Sequence, residues 1–375
     1  MDNKILNLIL KRLSKWKIGT KAPPVTMLLH LTNRCNFKCI YCDGGFTLRE
    51  PLYSNPPELT TRKWVSIAKE AVEFGVKEWE ISGGGDPLVR AETVASMIST
   101  IKRMDPDSLI EVSTNGWFLT KRIAKKIVRF NCDTLQVGID APNVKIHDFL
   151  KGKKGSFLRI TKNIRFLSSL KEKLKKDKPR IVVSTVLTSK NYNKLPEIAM
   201  LAHFLGANTF VVVPMRIDSG NYSYIKKAKL ELTTTQIKIA YKIWEKVEEI
   251  GKKYKIDVSE FYRGDYSKSN QLEQMESRKL NLLLSAFCLA PFYSILVNEV
   301  GNVGPCMAAN PRNIGCNLAT KSLKEIWYSK FFQSVRKAML ERKPEKSFDF
   351  LPCKYCNMNV QLQQKLTNTF NLQRK

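Results

Sequence analysis

Val25-Thr-Met-Leu-Leu-His-Leu31-Thr-Asn-Arg-Cys35-Asn-Phe-Lys-Cys39-Ile-Tyr-Cys42 joins a β-rich apolar run to three cysteines with three and two residues between them. Three thiols on one short loop can wrap around a single soft centre. A structural zinc site wants four ligands and tends to come as paired CxxC units, and nothing nearby offers the fourth. A [4Fe–4S] cube takes cysteine thiolates, and three of them leave one iron open to a further ligand. The loop therefore reads as an iron–sulfur site in preference to a zinc loop.

Outward from this loop, β-rich runs alternate with amphipathic helical segments. The runs are Val25–Leu31, Lys77–Ser82, Ser108–Ser113, Thr134–Ile139, Arg180–Leu187 and Thr209–Val213. The helix after Thr60 and Thr61 puts Trp64, Ile67, Ala68 and Ala71 on one face and stops at Gly75. Repeated strand–helix units imply parallel strands joined by right-handed crossovers. Six units are too few to close an eight-fold barrel, so the fold class is α/β, an open, partial (β/α)6 TIM-like barrel. Its chemistry is expected at the carboxyl ends of the strands. Residues 1–24 are expected to form an amphipathic N-terminal helix, 25–220 the barrel and 221–287 a connecting region with a helix over Thr235–Ile250. Residues 288–375 are expected to form a small α+β domain, with a hairpin around Asn298–Asn302 and a helix over Ser322–Arg342.

The chain has 375 residues, 63 Lys or Arg against 34 Asp or Glu, a formal charge of +29, and 43% hydrophobic residues. That is enough apolar content for a substantial core. No run approaches the roughly 20 apolar residues of a spanning helix, and the N-terminus lacks a signal-peptide pattern. A soluble, cytoplasmic protein is expected. Nine cysteines then point to metal or catalysis before disulfides, and three histidines supply a His-rich metal site poorly. The excess charge concentrates in Lys151–Arg180, a helix with Phe157, Ile160, Ile164 and Leu167 as its buried stripe. This run reads first as a solvated face; docking of an acidic electron carrier, or of nucleic acid, is the functional alternative. No nucleic-acid fingerprint supports the latter. The N-terminal helix, with Ile5, Leu6, Ile9, Leu13 and Trp16 on one face, is expected to cap the barrel, the alternative being a membrane surface or an acidic partner.

With Tyr41 before the last cysteine and the loop placed after the first strand, the chain resembles the radical S-adenosylmethionine (SAM) enzymes. Gly83-Gly84-Gly85-Asp86-Pro87, ending the second strand, is similar to that family's GGEP motif, with Asp for Glu. Ser113-Thr114-Asn115-Gly116 closes the third strand and Gly138-Ile139-Asp140-Ala141-Pro142 the fourth. His147-Asp148, Lys151-Gly152 and Gly155-Ser156-Phe157 resemble the HDxxRGxxGSF stretch of the subgroup with auxiliary clusters. The resemblance implies that Cys35, Cys39 and Cys42 hold a SAM-binding [4Fe–4S] cluster. It implies SAM contacts from Tyr41, Gly84, Gly85, Asp86, Ser113, Asn115, Gly138, Asp140, Lys151, Ser184 and Leu187. Gly138 stands where related enzymes carry Ser, and Lys151 near a usual Arg. The implied chemistry is reductive cleavage of SAM to a 5′-deoxyadenosyl radical that abstracts a substrate hydrogen.

Cys288 and Cys306 flank the expected hairpin, and Cys353-Lys-Tyr-Cys356 follows. Alone, a CxxC favours zinc; behind such a barrel the four resemble the auxiliary-cluster domain called SPASM, or its shortened form, twitch. The resemblance implies one further [4Fe–4S] cluster acting as an electron acceptor. Cys132 is expected to be a small buried residue; Cys316 stands where a non-cysteine is usual in the family and is kept only as an alternative ligand. Arg216 and Asp218, after the sixth strand, are the candidate catalytic residues, with Asp140 and Ser184 as further candidates and His30 expected in the core. An acidic electron donor such as ferredoxin or flavodoxin is the implied partner, with membrane or RNA contact through the basic surface as an alternative.

A small polar metabolite is the preferred substrate class, with peptide, lipid and RNA as alternatives. Peptide maturation is expected to need a leader-binding domain, for which 24 leading residues are too few. The non-enzymatic alternative is a zinc-stapled nucleic-acid-binding module.

Overall fold

The computed structural model describes residues 2–42, 57–215, 222–260, 288–306, 315–341 and Leu366. Six parallel strands carry the core: β1 (Thr26–Thr32), β2 (Glu78–Gly84), β3 (Leu109–Thr114), β4 (Thr134–Gly138), β5 (Arg180–Leu187) and β6 (Thr209–Pro214). Between them run α2 (Thr61–Phe74), α3 (Ala91–Met104), α4 (Lys121–Arg129), α5 (Val144–Lys151), α6 (Ser156–Lys173) and α7 (Leu195–Phe204). The expected strand–helix alternation is present in order. Helix starts follow side-chain chemistry: Thr60, Thr120 and Asn143 accept from backbone N–H groups in the first turns of α2, α4 and α5.

The sheet is longer than six strands. Its order is β7-β6-β5-β4-β3-β2-β1-β8-β9, with β7 (Asp257–Glu260) parallel to β6, and β8 (Ser294–Val297) parallel to β1 on the other edge. The second strand of the expected hairpin, β9 (Val303–Gly304), pairs antiparallel with β8. Between β6 and β7 lie α8 (Tyr222–Lys227) and α9 (Thr234–Tyr254), the latter opened by a capping box of Thr233 and Gln236. The single helix expected over 322–342 is two, α10 (Leu323–Trp327) and α11 (Lys330–Leu340). The break falls where the Ser329 side chain accepts from Phe332 N and begins a new helix. Residues 261–287 of the connecting region lie outside the described residues.

Side-chain alternation sorts the sheet into two faces. Outward residues, among them Met27, Leu29, Trp79, Ile81, Ile110, Val112, Leu135 and Val183, are fully buried against the helices. Trp64, Trp79 and Trp327 are also fully buried, and burying a large apolar side chain stabilises by roughly 2–3 kcal/mol. The inner face is polar: Glu78, Glu80 and Ser82 on β2, Glu111 and Ser113 on β3, Gln136 on β4 and Ser184 on β5. Glu80 stands opposite Glu111 in register.

The N-terminal helix α1 (Asn3–Lys17) caps the barrel, as expected. Ile5, Ile9 and Leu13 pack with Val25, Phe292, Tyr293, Val335 and Met339, so these apolar residues are buried within the chain. The buried Arg12 guanidinium donates to the carbonyls of Pro23, Pro24 and Gly75 and seats the helix on the barrel floor. A second buried guanidinium, Arg336, sits 4.6 Å from the Trp16 ring and 4.2 Å from the Trp327 ring, and donates to Pro291 O and Trp327 O. It ties α1, α10 and α11 together; burial pulls its pKa down to about 9. No described helix is long and apolar enough to cross a membrane.

Burial in the lumen, reinforced by Glu111, pushes the Glu80 carboxyl up from 4.5 to about 7. The folded state thus favours protonated Glu80, and stability falls as pH rises from about 4.5 through 7. Glu80→Gln, which keeps the shape without the charge, is expected to match wild type near pH 4.5 and exceed it at pH 8 by up to about 3 kcal/mol. Thermal denaturation of both proteins across that range checks this; a difference that does not grow with pH contradicts it.

Candidate active site

The cysteine loop leaves the carboxyl end of β1 and is held from three sides. Gly85 N donates to Thr32 O at 2.7 Å and Asp86 N to Arg34 O at 3.0 Å, pinning the loop to the end of β2. A Cβ on Gly85 would lie 2.0 Å from Arg34 O, so only glycine permits this approach. On the other side Ile40 N donates to Leu150 O at 3.0 Å, joining the loop to α5. From β3, Asn115 Nδ2 donates to Asn36 Oδ1 at 3.0 Å and approaches Cys35 Sγ at 3.8 Å.

The Cys39 thiol feels the charges of Cys42 and Cys35, and the Cys35 thiol that of Cys42. Burial pushes the Cys39 thiol up to about 12, against the nearby Lys151 charge, so a bound cation is needed to draw off its proton. Among the described residues no three His, Cys, Asp or Glu side chains close on a point for one ion. Three thiolates around an iron–sulfur cube stand wider apart than three on one zinc at about 2.3 Å. Among the described residues Asn36 Nδ2 is buried here without a hydrogen-bond partner. The donor set fits a cube bound through three thiolates.

Asp86 faces inward. It is 3% exposed, and its carboxylate accepts from Leu88 N at 2.9 Å, Thr114 Oγ1 at 2.9 Å and Asn115 N at 2.6 Å. Burial raises it to about 6 despite these donors. Its visible work is to lock the end of β2 to the end of β3, which positions Asn115 over the loop. Gly84 lies beside it in the same turn.

Tyr41, Asp140 and Lys151 come together as a buried triad. Lys151 Nζ lies 2.9 Å from Asp140 Oδ2 and donates to Tyr41 OH at 2.8 Å, while Tyr41 OH donates to Asp140. Lys151 is 5% exposed and Asp140 1%. Asp140 is held below the usual carboxylate range by the Lys151 charge and its hydrogen bonds, which outweigh burial. A Cβ on Gly138 would lie 2.8 Å from Lys151 Nζ, so the two departures noted at 138 and 151 accommodate one another. Val186 N and His147 close the remaining sides, with Asp140 Oδ1 accepting at 3.0 Å and Asp140 N donating to His147 Nδ1 at 3.2 Å. Asp148 clasps the α5–α6 junction by accepting from Gly155 N, Ser156 Oγ and Phe157 N.

Ser113 and Ser184 line the inner face, Ser184 in register with Gly138, and Leu187 ends β5 half-buried. His30 is half-buried beneath Gly83 and not in the closed core. Cys288 and Cys306 belong to one packed cluster with α1 and α11, whereas Cys316 packs separately against the barrel helices. Cys132 is fully buried, as expected. Arg216, Asp218, Cys353 and Cys356 lie outside the described residues. Sequence reading passed over Asn36, Thr114, Asn191 (which donates to Asp140 O at 2.8 Å) and the Glu80–Glu111 pair. Only the last left a signal, charged residues alternating with apolar ones inside two strands.

The Radical SAM superfamily model matches residues 29–202, and the model of the SPASM iron–sulfur cluster-binding domain matches 288–357. The chain is 28% identical over 328 residues to the AdoMet-dependent heme synthase of Methanosarcina barkeri, covering 82% of this chain and 83% of that one. It is 24% identical over 339 residues to the PqqA peptide cyclase of Methylocella silvestris, covering 88% and 83%. Among solved structures, SAM-bound SuiB of Streptococcus suis superposes with a TM-score of 0.64 at 17% identity, covering 92% of this chain and 75% of that one. AdoMet-bound anSMEcpe superposes at 0.56 and 14%, covering 93% and 98%. These likenesses show a shared fold. The two family models, with the clasped three-thiol loop and the second cysteine group, establish that the chain is an enzyme of the radical SAM superfamily with a C-terminal SPASM iron–sulfur domain.

Proposed function

We propose that this enzyme oxidises a small polar cofactor precursor in the barrel lumen, with Cys35, Cys39 and Cys42 holding the SAM cluster. The observation that carries this is the convergence of those thiols on a loop clasped at the strand ends, directly above a polar inner face. When bound, the cluster supplies one electron to the SAM sulfonium, and the 5′-deoxyadenosyl radical so made abstracts a substrate hydrogen.

The chain's own groups do the rest. The glycine run offers backbone carbonyls to the methionine amino group, since the Asp86 carboxylate is already engaged. The triad of Tyr41, Asp140 and Lys151 fixes the loop's inner wall. Ser113, Ser184 and Gly138 border the space for the ribose, and Leu187 with Asn115 bounds it. Ser82, Glu80, Glu111 and Gln136 offer the substrate hydrogen-bond partners deeper in the lumen. Arg216 and Asp218 are proposed as substrate-side acid and base groups. Cys288, Cys306, Cys353 and Cys356 would hold the auxiliary [4Fe–4S] cluster, whose chemistry there would be acceptance of the second electron. An acidic one-electron carrier, flavodoxin or ferredoxin, supplies the first.

The heme synthase relative, similar over most of both chains, supports the cofactor-precursor class. The similarity to a PqqA peptide cyclase over 88% of this chain favours a second reading, modification of a peptide. Incubation with SAM, dithionite and deuterated cell extract split by size separates the two. Deuterium entering 5′-deoxyadenosine from the small-molecule fraction supports the first, and from the peptide fraction the second.

Reconstituted wild type is expected to hold about eight irons, four per cluster. Cys39→Ala and Gly85→Ala should each hold about four and form no 5′-deoxyadenosine with dithionite, the first through a lost ligand and the second through the clash with Arg34 O. Cys306→Ala should also hold about four yet still cleave SAM. Iron analysis and chromatography of the nucleoside check all three; SAM cleavage surviving in Cys39→Ala contradicts the assignment.

A further inference from the structure

We infer that the surface formed by Trp117, Lys153, Lys154 and Arg159, beside the cysteine loop, is where the acidic electron carrier docks and passes its electron to the cluster. This rests on the function proposed above, and deepens it by naming the face.

Trp117 follows β3 and is half-buried, with Lys153 Nζ 4.9 Å and the Arg159 guanidinium 4.2 Å from its ring centroid. Arg159 Nε also donates to Trp117 O at 3.1 Å. Inward, the Trp117 ring meets the buried Phe37 ring edge-on, centroids 5.8 Å apart, and Phe37 N donates to Cys35 Sγ at 3.4 Å. A second connection runs through hydrogen bonds: Trp117 N to Asn115 Oδ1 at 2.9 Å, then Asn115 Nδ2 to Cys35 Sγ at 3.8 Å. A surface indole is thus linked to a cluster thiol by two short contiguous routes, and the indole carries two cations.

Charge and shape suit a protein carrier. Lys38 is exposed on the cysteine loop, and its carbonyl lies where a Cβ on Gly152 would approach to 2.2 Å, which sets the loop beside the Lys153–Lys154 turn. Lys154, Arg159 and Lys162 are exposed, and Asp148, the one acid between 144 and 171, is engaged in the junction clasp. Amid these cations, Leu158 is 63% exposed and Phe149 50%. A basic rim with a small apolar centre matches the compact, electrostatically steered encounters of electron-transfer partners. In the step itself one electron leaves the carrier's reduced flavin or iron–sulfur centre and enters the oxidised cluster; no bond is made or broken.

The probe is flavodoxin, used with the full-length, cluster-loaded enzyme. Stopped-flow bleaching by flavodoxin hydroquinone should be about tenfold slower in Lys153→Glu/Arg159→Glu than in wild type at low salt, and should lose wild type's fall with ionic strength. Calorimetric binding of oxidised flavodoxin should weaken about tenfold. Iron content and dithionite-driven SAM cleavage should match wild type. Lys154→Glu/Lys162→Glu, on exposed side chains, repeats the test should the first variant fold poorly. Lys242→Glu/Lys246→Glu on α9 makes the same net-charge change away from this face and should behave as wild type. Equal rates in the patch variants and wild type, or equal losses in the α9 control, overturn the proposal. So does a wild type that binds RNA or anionic vesicles at this face but not flavodoxin. A wild type that dithionite cannot bring to cleave SAM instead overturns the functional reading, and oxidised-flavodoxin binding still tests the face.

Discussion

The site depends on two backbones being allowed to touch. The turn at the end of β2 presses on the cysteine loop so closely that a single methyl group on Gly85 would overlap the carbonyl of Arg34. That approach permits the bonds from Gly85 N and Asp86 N into the loop. Asp86 then locks the same turn to β3 with a carboxylate out of reach of water. The loop is therefore shaped by the ends of three neighbouring strands before any iron arrives. A pre-shaped loop lowers the ordering cost of cluster binding, since fewer backbone torsions remain to be fixed.

The second constraint is electrical. A carboxylate beside anionic cluster thiolates is unfavourable unless a cation accompanies it, and Asp140 has Lys151 at 2.9 Å. A lysine there needs room for its ammonium, and the missing side chain at Gly138 provides that room. Two residues that look like separate departures from the family's pattern thus form one arrangement. Tyr41 completes it by bonding to both charged partners, which ties the loop residue next to Cys42 to β4 and α5.

Much of this was legible in the sequence because it rests on local pattern. The period of apolar residues marked the strands and helices in order, and cysteine spacing marked the loop. Capping residues such as Thr60 and Asn143 marked helix starts. What was not legible depends on pairing at a distance. Nothing in Ser294–Val297 says that it will lie parallel to β1, about 265 residues away, or that Asp257–Glu260 will extend the other edge. The one helix expected over 322–342 divided because Ser329 serves as a cap, a role indistinguishable by composition from a mid-helix serine. Asp86 was placed at the right turn, but its inward orientation follows from Thr114 and Asn115 on another strand.

The pairing of β8 with β1 orders the two cysteine groups. Because the strands are parallel, Cys35 follows the carboxyl end of β1, whereas Cys288 precedes the start of β8 and Cys306 follows β9 as it runs back. Cys288 and Cys306 therefore lie toward the floor, in the cluster that includes Ile5, Ile9 and Val25. The intervening length is that of β1, seven residues or about 20 Å. The polar residues of the inner face, Glu80 and Glu111 among them, occupy that interval. Under the proposed function, a substrate in the lumen would have the SAM cluster above it and the auxiliary cluster below. On that proposal one continuous sheet would set their separation, and the substrate radical left by hydrogen abstraction would not need to leave the barrel to give up its second electron.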